Sequence, residues 1–280
     1  MQAPAWPRQL APLDHVPERG IVIGPTDRNP LSDALSVRLR QHKRVEDGDI
    51  SKRSGRLAEL FIGVYDMITI SAFKWVPDFA RGQVRDLRVR WALEEAGLPY
   101  RTRLLEQGDQ DKPDYRSRQP FGQVPVLEED NFVLFESGAV VIYIGERSEA
   151  LLPKDPRARA RATQWLIAAL NSIEPFVMNV ALIDLFYANE EWAKLRRPEA
   201  VQFAQKRLSA LSNSLGEKSY LDGEQFTAGD LMMTTVLRIL KHTDIVTSDA
   251  RLAAYIERCT ARPAFKRALN GQLEDFQEAA

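Results

Sequence analysis

The side chains able to do chemistry are spread unevenly along this 280-residue chain. Glu136-Ser137 stands directly ahead of an apolar run whose Val140, Val141, Tyr143 and Ile144 recur at helical spacing. An acid, a hydroxyl and the positive end of a helix therefore fall together, with Ser137 expected at the cap position. Such a trio caps the helix, or its acid can face a cation while its hydroxyl and N–H groups face an anion. Glu136 lies 12 residues beyond Val124, and Val124-Pro125 opens an extended segment because a residue before proline is biased away from helix. Thr227 and Asp230 have the S/T-x-x-D spacing of a helix capping pair, a structural device whose loss through Asp230→Ala should cost roughly 0.5 to 2 kcal/mol. From Ala72 through Pro99 there is no Ser, Thr, Tyr or Cys. His15, His42 and His242 have neither metal-ligand spacing nor a triad pattern, and Gly20 and Gly24 lack the Lys-Ser/Thr of a phosphate loop, so neither a metal nor a nucleotide is expected.

Composition narrows the partners. The 38 basic and 39 acidic side chains leave a formal charge of −1, which supplies no field to gather nucleic acid or an anionic membrane surface. A small or neutral partner is expected instead. One cysteine, Cys259, excludes a disulfide within the chain and fits a cytoplasmic location; in a late helix it reads as a buried, inert thiol. No apolar run is expected to approach the ~18 residues that span a bilayer. Pro4, Pro7, Pro12 and Pro17 break any leader-like apolar stretch at the start.

Three segments follow from the patterning. Six of the 16 prolines fall within residues 1–30 and a polar, mixed-charge run follows, so residues 1–66 read as a disordered extension, with Leu31, Leu35 and Leu39 able to form one weak amphipathic helix. Met67 opens the strand Ile68 to Phe73, which makes it the expected native start; peptides from residues 1–60 in the endogenous protein would contradict that. A helix is expected from about Val84 to Ala96, burying Val89, Ala92, Leu93 and Ala96 and pairing Arg90 with Glu94 on its wet side. Gly97 and Pro99 stop it, and a strand from Tyr100 to Leu105 can pair parallel to the first. Val124 to Leu127 and Phe132 to Phe135 read as a hairpin. Beyond Pro153 only helices remain, at about Pro156 to Asn189 with a kink at Pro175, Glu191 to Leu215, Ala228 to Lys241, Asp249 to Ala261 and Ala264 to Phe276.

Three patterns in this order resemble the glutathione transferase superfamily across residues 67–276. They are Arg88-Val89-Arg90-Trp91-Ala92-Leu93-Glu94-Glu95-Ala96-Gly97-Leu98-Pro99-Tyr100, then Gly122-Gln123-Val124-Pro125-Val126-Leu127 with Phe135-Glu136-Ser137, then Thr227-Ala228-Gly229-Asp230. The resemblance implies an α/β thioredoxin-like domain over residues 67–149 followed by an all-α helical-bundle domain over residues 154–280. It implies a cis bond at Val124-Pro125 that turns the Val124 backbone toward the cysteinyl backbone of glutathione, as an added antiparallel strand. Glu136 would hold the γ-glutamyl ammonium, Ser137 and the helix N-terminus its carboxylate, and Gln123 the other end of the tripeptide. Glutathione would be a substrate, no cofactor is needed, and a homodimer is implied.

Relatives of this type stabilise the glutathione thiolate with a tyrosine, serine or cysteine near the end of the first strand, and this chain departs from that pattern. Counting back from Val89 puts Gln83 at the catalytic position; the tyrosine-type count puts Phe79 there. The thiolate could be stabilised by the Gln83 amide, by Arg81 or Arg85, or by the backbone N–H groups near Val84. Ser71, the nearest hydroxyl, falls within the first strand. The resulting expectation is conjugation of glutathione to a hydrophobic electrophile, in a pocket drawn from Trp75, Phe79, Trp165, Phe176, Phe186 and Tyr187. The alternatives are another glutathione chemistry, such as peroxide reduction, isomerisation or dehalogenation, or a non-catalytic binding module on the same fold.

Overall fold

The computed structural model describes residues 67–277, which lie within one compact unit, Val64–Ala280. The expectations for residues 1–66 fall outside the described residues. β1 (Ile68–Phe73) buries nearly every side chain, including Ile68, Ile70 and Ala72. It pairs in parallel with β2 (Tyr100–Leu105), Ile68 opposite Tyr100 and Phe73 opposite Leu105. On its other side it pairs antiparallel with β3 (Leu127–Glu129), which turns into β4 (Phe132–Leu134). The strand order is β2-β1-β3-β4. The hairpin strands are shorter than expected: ahead of Leu127 the Val126 carbonyl still accepts from Ser71 N–H of β1 at 2.9 Å, but Val126 N–H turns to the Ser71 hydroxyl at 2.7 Å, and the Val124-Pro125 bond before it is cis.

The crossover between β1 and β2 is α1 (Asp86–Ala96), ended by Gly97 in the left-handed region. It starts two residues later than the apolar period suggested, since Val84 and Arg85 form a tighter turn in which Leu87 and Arg88 donate to the Val84 and Arg85 carbonyls. Its Arg90 is not on a wet face, as expected, but buried. Arg90 pairs with Asp86 at 2.8 Å and with Asp275, while Glu94 pairs with Arg267. The reason is tertiary: the last helix, α9 (Pro263–Gln277), lies along this side of α1 and brings its own acid and base. A single turn, α2 (Pro113–Arg116), interrupts the loop before the hairpin. α3 (Ser137–Gly145) follows the hairpin.

The remaining elements are helical: α4 (Pro156–Ala168), α5 (Glu174–Phe186), α6 (Glu191–Leu215), α7 (Ala228–Leu237), α8 (Ala250–Thr260) and α9. The long run expected from Pro156 is split by one wide turn, Ala169–Ile173, and Pro175 sits in the first turn of α5, where its missing N–H costs nothing. By length and composition Pro156–Phe186 is long and apolar enough to cross a bilayer, contrary to the sequence expectation. Here that apolarity packs the bundle, with Ala162, Leu166, Ala169 and Val177 fully buried. α7 is buried along its whole length and is the spine of the bundle. Its capping box is formed: Thr227 N–H donates to Asp230 Oδ2 at 2.9 Å, and Thr227 Oγ1 accepts from Gly229 N–H at 3.2 Å. Trp91 of α1 is fully buried against Phe226 and Phe265, ring centroids 5.5 and 4.8 Å away, and so cements sheet layer to bundle.

Candidate functional site

Two adjoining cavities open beside the Val124-Pro125 turn and share Arg85, Gln123, Val124 and Met178 as lining. The turn itself is fixed by a relay of hydroxyls. Val126 N–H donates to Ser71 Oγ at 2.7 Å, Ser71 lies 2.8 Å from the Tyr115 hydroxyl, and Tyr115 donates to the Gln123 carbonyl at 2.7 Å. Burial pushes the Tyr115 phenol up, so it stays a neutral donor. Ser71 is thereby buried and fully engaged as a structural group. The N–H and C=O of Val124, by contrast, enter no hydrogen bond among the described residues.

The first cavity, about 430 Å³, is polar and is lined by Gln119, Gln123, Pro125, Glu136, Ser137 and Glu174, among others. Glu136 has φ 67°, a region a non-glycine residue enters only when its surroundings hold it there, and it rather than Ser137 is the residue flanking the helix. Ser137 is the first helical residue, and neither side chain makes a capping bond. Ser137 Oγ instead accepts from Arg88 Nη1 at 3.3 Å. Arg88 is buried, and its Nη2 donates to Glu174 Oε1 at 3.0 Å; Arg85 Nη2 reaches the same oxygen at 3.0 Å. Burial alone would push the Glu174 carboxyl up, but the two guanidinium groups outweigh it and hold the acid below its ordinary range. Two cations thus share one carboxylate, with Glu136 also within the field of Arg88.

The second cavity, about 700 Å³, is lined mainly by apolar side chains, among them Phe73, Phe79, Leu182, Leu185, Phe186 and Ile239. Phe79 and Phe186 meet edge to face with centroids 5.1 Å apart. Of the other aromatics expected here, none lines it. Trp75 stands outside, Trp165 packs into the bundle core, Phe176 lies under Arg207, and Tyr187 packs on Trp192. Gln83 does line it, and its Nε2 is buried with no hydrogen-bond partner among the described residues. An unpartnered buried donor is costly, roughly 1–3 kcal/mol, and asks for an acceptor.

The three sequence candidates therefore separate. Gln83 faces the apolar cavity; Arg85 lines both cavities but is tied to Glu174; Arg81 lines neither, and its Nε lies 3.3 Å from Asp78. The Val84 and Arg85 N–H groups enter no hydrogen bond among the described residues. Cys259 is buried beneath α7 and its thiol is pushed up to about 12 by burial, which leaves it inert. Among the described residues no group of three or more His, Cys, Asp or Glu could hold a metal ion. Sequence reasoning missed Arg88 and Glu174, which lie 86 residues apart and have no local spacing to reveal them.

Known proteins resemble this chain in sequence and in fold. The sequence pattern of the glutathione S-transferase N-terminal domain matches residues 79–146 and that of the C-terminal domain matches residues 178–263. Glutathione S-transferase F11 of Arabidopsis thaliana is 32% identical over 175 residues, 58% of this chain and 81% of that protein. The chain belongs to the glutathione S-transferase family. Glutathione S-transferase F14 of the same plant is 33% identical over 160 residues, 52% of this chain and 62% of its own length. Among solved structures, a glutathione transferase family member from Pseudomonas fluorescens, with two glutathione bound, matches 76% of this chain and 96% of its own with a TM-score of 0.65 at 24% identity. Poplar glutathione transferase F1 matches 74% and 99% with a TM-score of 0.64, also at 24%. Those likenesses are of fold: a thioredoxin-like domain and a helical domain, as this family member displays.

Proposed function

We propose that the chain is a glutathione-dependent transferase that joins the glutathione sulfur to a hydrophobic electrophile. The observation that carries this reading is the Gln83 amide, a buried donor without a partner on the wall of an apolar cavity that adjoins a polar one. The polar cavity suits a zwitterion. The guanidinium groups of Arg85 and Arg88 outnumber the Glu174 carboxylate, and with Ser137 they favour a ligand carboxylate, while Glu136 favours its ammonium. The free N–H and C=O of Val124 take the cysteinyl backbone of glutathione, and Gln123 its far end. The thiol, with an ordinary pKa near ~8.5, then loses its proton to water, and Gln83 Nε2 donates to the sulfur anion. With an aromatic halide in the apolar cavity, the sulfur lone pair forms the C–S bond, and the carbon–halogen bond breaks with its electrons leaving on the halide. Residues 67–149 form the glutathione domain and 154–280 the helical domain. The enzyme works in the cytoplasm, in keeping with its single buried thiol. It pairs as a homodimer, for which the exposed Phe132 and Val133 of edge strand β4 offer apolar surface.

A second reading, a glutathione-binding module without catalysis, is favoured by one observation: Ser71, the nearest hydroxyl, is consumed by Tyr115 and Val126. Conjugation of a model aromatic halide separates the two. The transferase reading expects glutathione to bind by calorimetry, turnover to occur, and Gln83→Ala to lower kcat by about 10- to 100-fold with KM for glutathione within about twofold. Binding without turnover selects the module, and no binding in the millimolar range contradicts both.

A further inference from the structure

The loop that carries Gln83 is held from outside, by side chains remote in sequence. Lys241 Nζ donates to the Arg81 carbonyl at 3.0 Å, Arg238 Nη1 to the Gly82 carbonyl at 3.2 Å, and Gln272 Nε2 to the Val84 carbonyl at 3.2 Å. Three carbonyls flanking one residue are thus gripped by α9 and by the turn that follows α7. The Gly82 carbonyl and the Gln83 N–H are two ends of one peptide unit, so the Arg238 bond fixes the plane from which the Gln83 side chain leaves. Gly82 itself has φ 72°, and a Cβ there would meet Leu269 of α9 at 3.0 Å, so the loop and α9 are in close contact. Gln272 is fully buried and anchored in turn, its second amide hydrogen going to Asp86 Oδ1 at 2.7 Å, while Asp86 is held by Arg90.

Charge around the loop is unbalanced. Arg81 is paired with Asp78, Arg85 and Arg88 with Glu174, Arg90 with Asp86 and Asp275, and His242 with Asp184, which also holds Arg197. Arg238 and Lys241 pair with no carboxylate among the described residues; Arg238 lies instead over the Phe265 ring, 4.8 Å from its centroid. Burial pushes the Arg238 guanidinium down to about 10 and, with help from Arg238, lowers Lys241 too, yet Arg238 remains a cation at neutral pH. A desolvated cation without a counter-ion is expensive to keep unless an anion forms nearby during function.

We propose that Arg238, Lys241 and Gln272 are positioning residues that hold the Gln83 amide in place through the loop carbonyls, and that Arg238 and Lys241 supply the positive field in which the bound thiol ionises. The inference rests on Gln83 as the donor to sulfur. Arg238 and Gln272 line neither of the two site cavities, and Lys241 lines only the apolar one, beside Gln83 and His242, so none of the three lines the polar cavity proposed for the γ-glutamyl end. Their effect is on where the Gln83 donor points and on how readily negative charge develops before it.

The test titrates the ultraviolet absorbance of the glutathione thiolate bound to the full-length protein against pH. It is run beside kcat and KM with an aromatic halide and calorimetry with S-methylglutathione, which has no thiol to ionise. Arg238→Met is expected to raise the ionisation midpoint and to lower kcat below that midpoint by about tenfold, the equivalent of one pKa unit. Lys241→Met should shift both in the same direction by less, since Lys241 is the more exposed cation. KM for glutathione and the S-methylglutathione affinity should stay within about twofold, and Arg238→Lys should recover most of the loss. An unmoved midpoint in folded Arg238→Met and Lys241→Met protein overturns the inference; should Arg238→Met not fold, Lys241→Met decides alone. Gln83→Ala is titrated in parallel. If it moves the midpoint and the other two do not, the inference fails and the donor reading stands. If it does not, the donor reading fails and takes the inference with it.

Discussion

Two buried carboxylates, Asp230 in the helical bundle and Glu174 beside the polar cavity, show how the same chemistry serves structure in one place and binding in another. Asp230 accepts from Leu221 N–H at 2.8 Å, Thr227 N–H at 2.9 Å, Thr227 Oγ1 at 3.1 Å and the Tyr255 hydroxyl at 3.0 Å. All four donors are neutral. Burial therefore prevails and pushes the carboxyl up. The network is closed, because its donors match the lone pairs of one carboxylate and nothing is left over. Glu174 takes two guanidinium groups on a single oxygen, which holds its carboxyl down and leaves one positive charge in excess. Oε2 enters no hydrogen bond among the described residues, and the Arg88 and Arg85 side chains front a cavity. An open network of this kind has capacity for a ligand; a closed one has only stability to give.

Removing either acid should break that contrast if it is wrong. The larger effect is expected of Glu174→Ala, which strands the buried Arg88 charge and should cost about 3–5 kcal/mol of stability together with most of the glutathione affinity. Denaturant melts and calorimetry check both, and retained affinity would show the arginines to be mere scaffolding. Asp230→Ala should cost about 2–3 kcal/mol, more than an isolated cap is worth, because Leu221 and Tyr255 lose their acceptor as well as Thr227. Its glutathione affinity at a temperature where it is folded should match the parent protein. The smallest effect concerns pH. Glu174 is held below its ordinary value of 4.5, so its contribution is complete above that pH and is lost as pH falls through the lower folded value. The melting-temperature gap between the parent protein and Glu174→Gln should therefore narrow below pH ~4.5 and stay constant from about 5 to 7. A gap that widens in acid reverses the sign and contradicts the assignment.

What was legible in the sequence follows the same division. The capping pair Thr227 and Asp230, the Gly97 stop and the turn at Val124-Pro125 are each encoded within a dozen residues, where spacing and backbone chemistry are enough, and the parallel β1–β2 unit follows from one helix between two strands. Arg90 reads as a surface residue from its helix alone, and only the packing of α9 buries it against Asp275. Pro156 to Asn189 reads as one helix kinked at Pro175, because the wide turn at Ala169–Ile173, just ahead of that proline, leaves no mark on the apolar pattern. The Arg88–Glu174 pair and the Arg238, Lys241 and Gln272 bonds to the Gln83 loop join residues 86 to 188 positions apart or nearly so, beyond any local periodicity. Gln83 itself was found by counting back from Val89, but its unpartnered amide is a property of the folded cavity.

The measurement that bears most directly on the account is a glutathione-bound structure of the full chain, read for the groups around the sulfur. The account predicts Gln83 Nε2 within ~3.2 Å of the sulfur, the reach of a good donor, with the Val124 backbone paired to the cysteinyl residue. A sulfur that faces Arg81, Arg85 or solvent, with the Gln83 amide turned away, would contradict it.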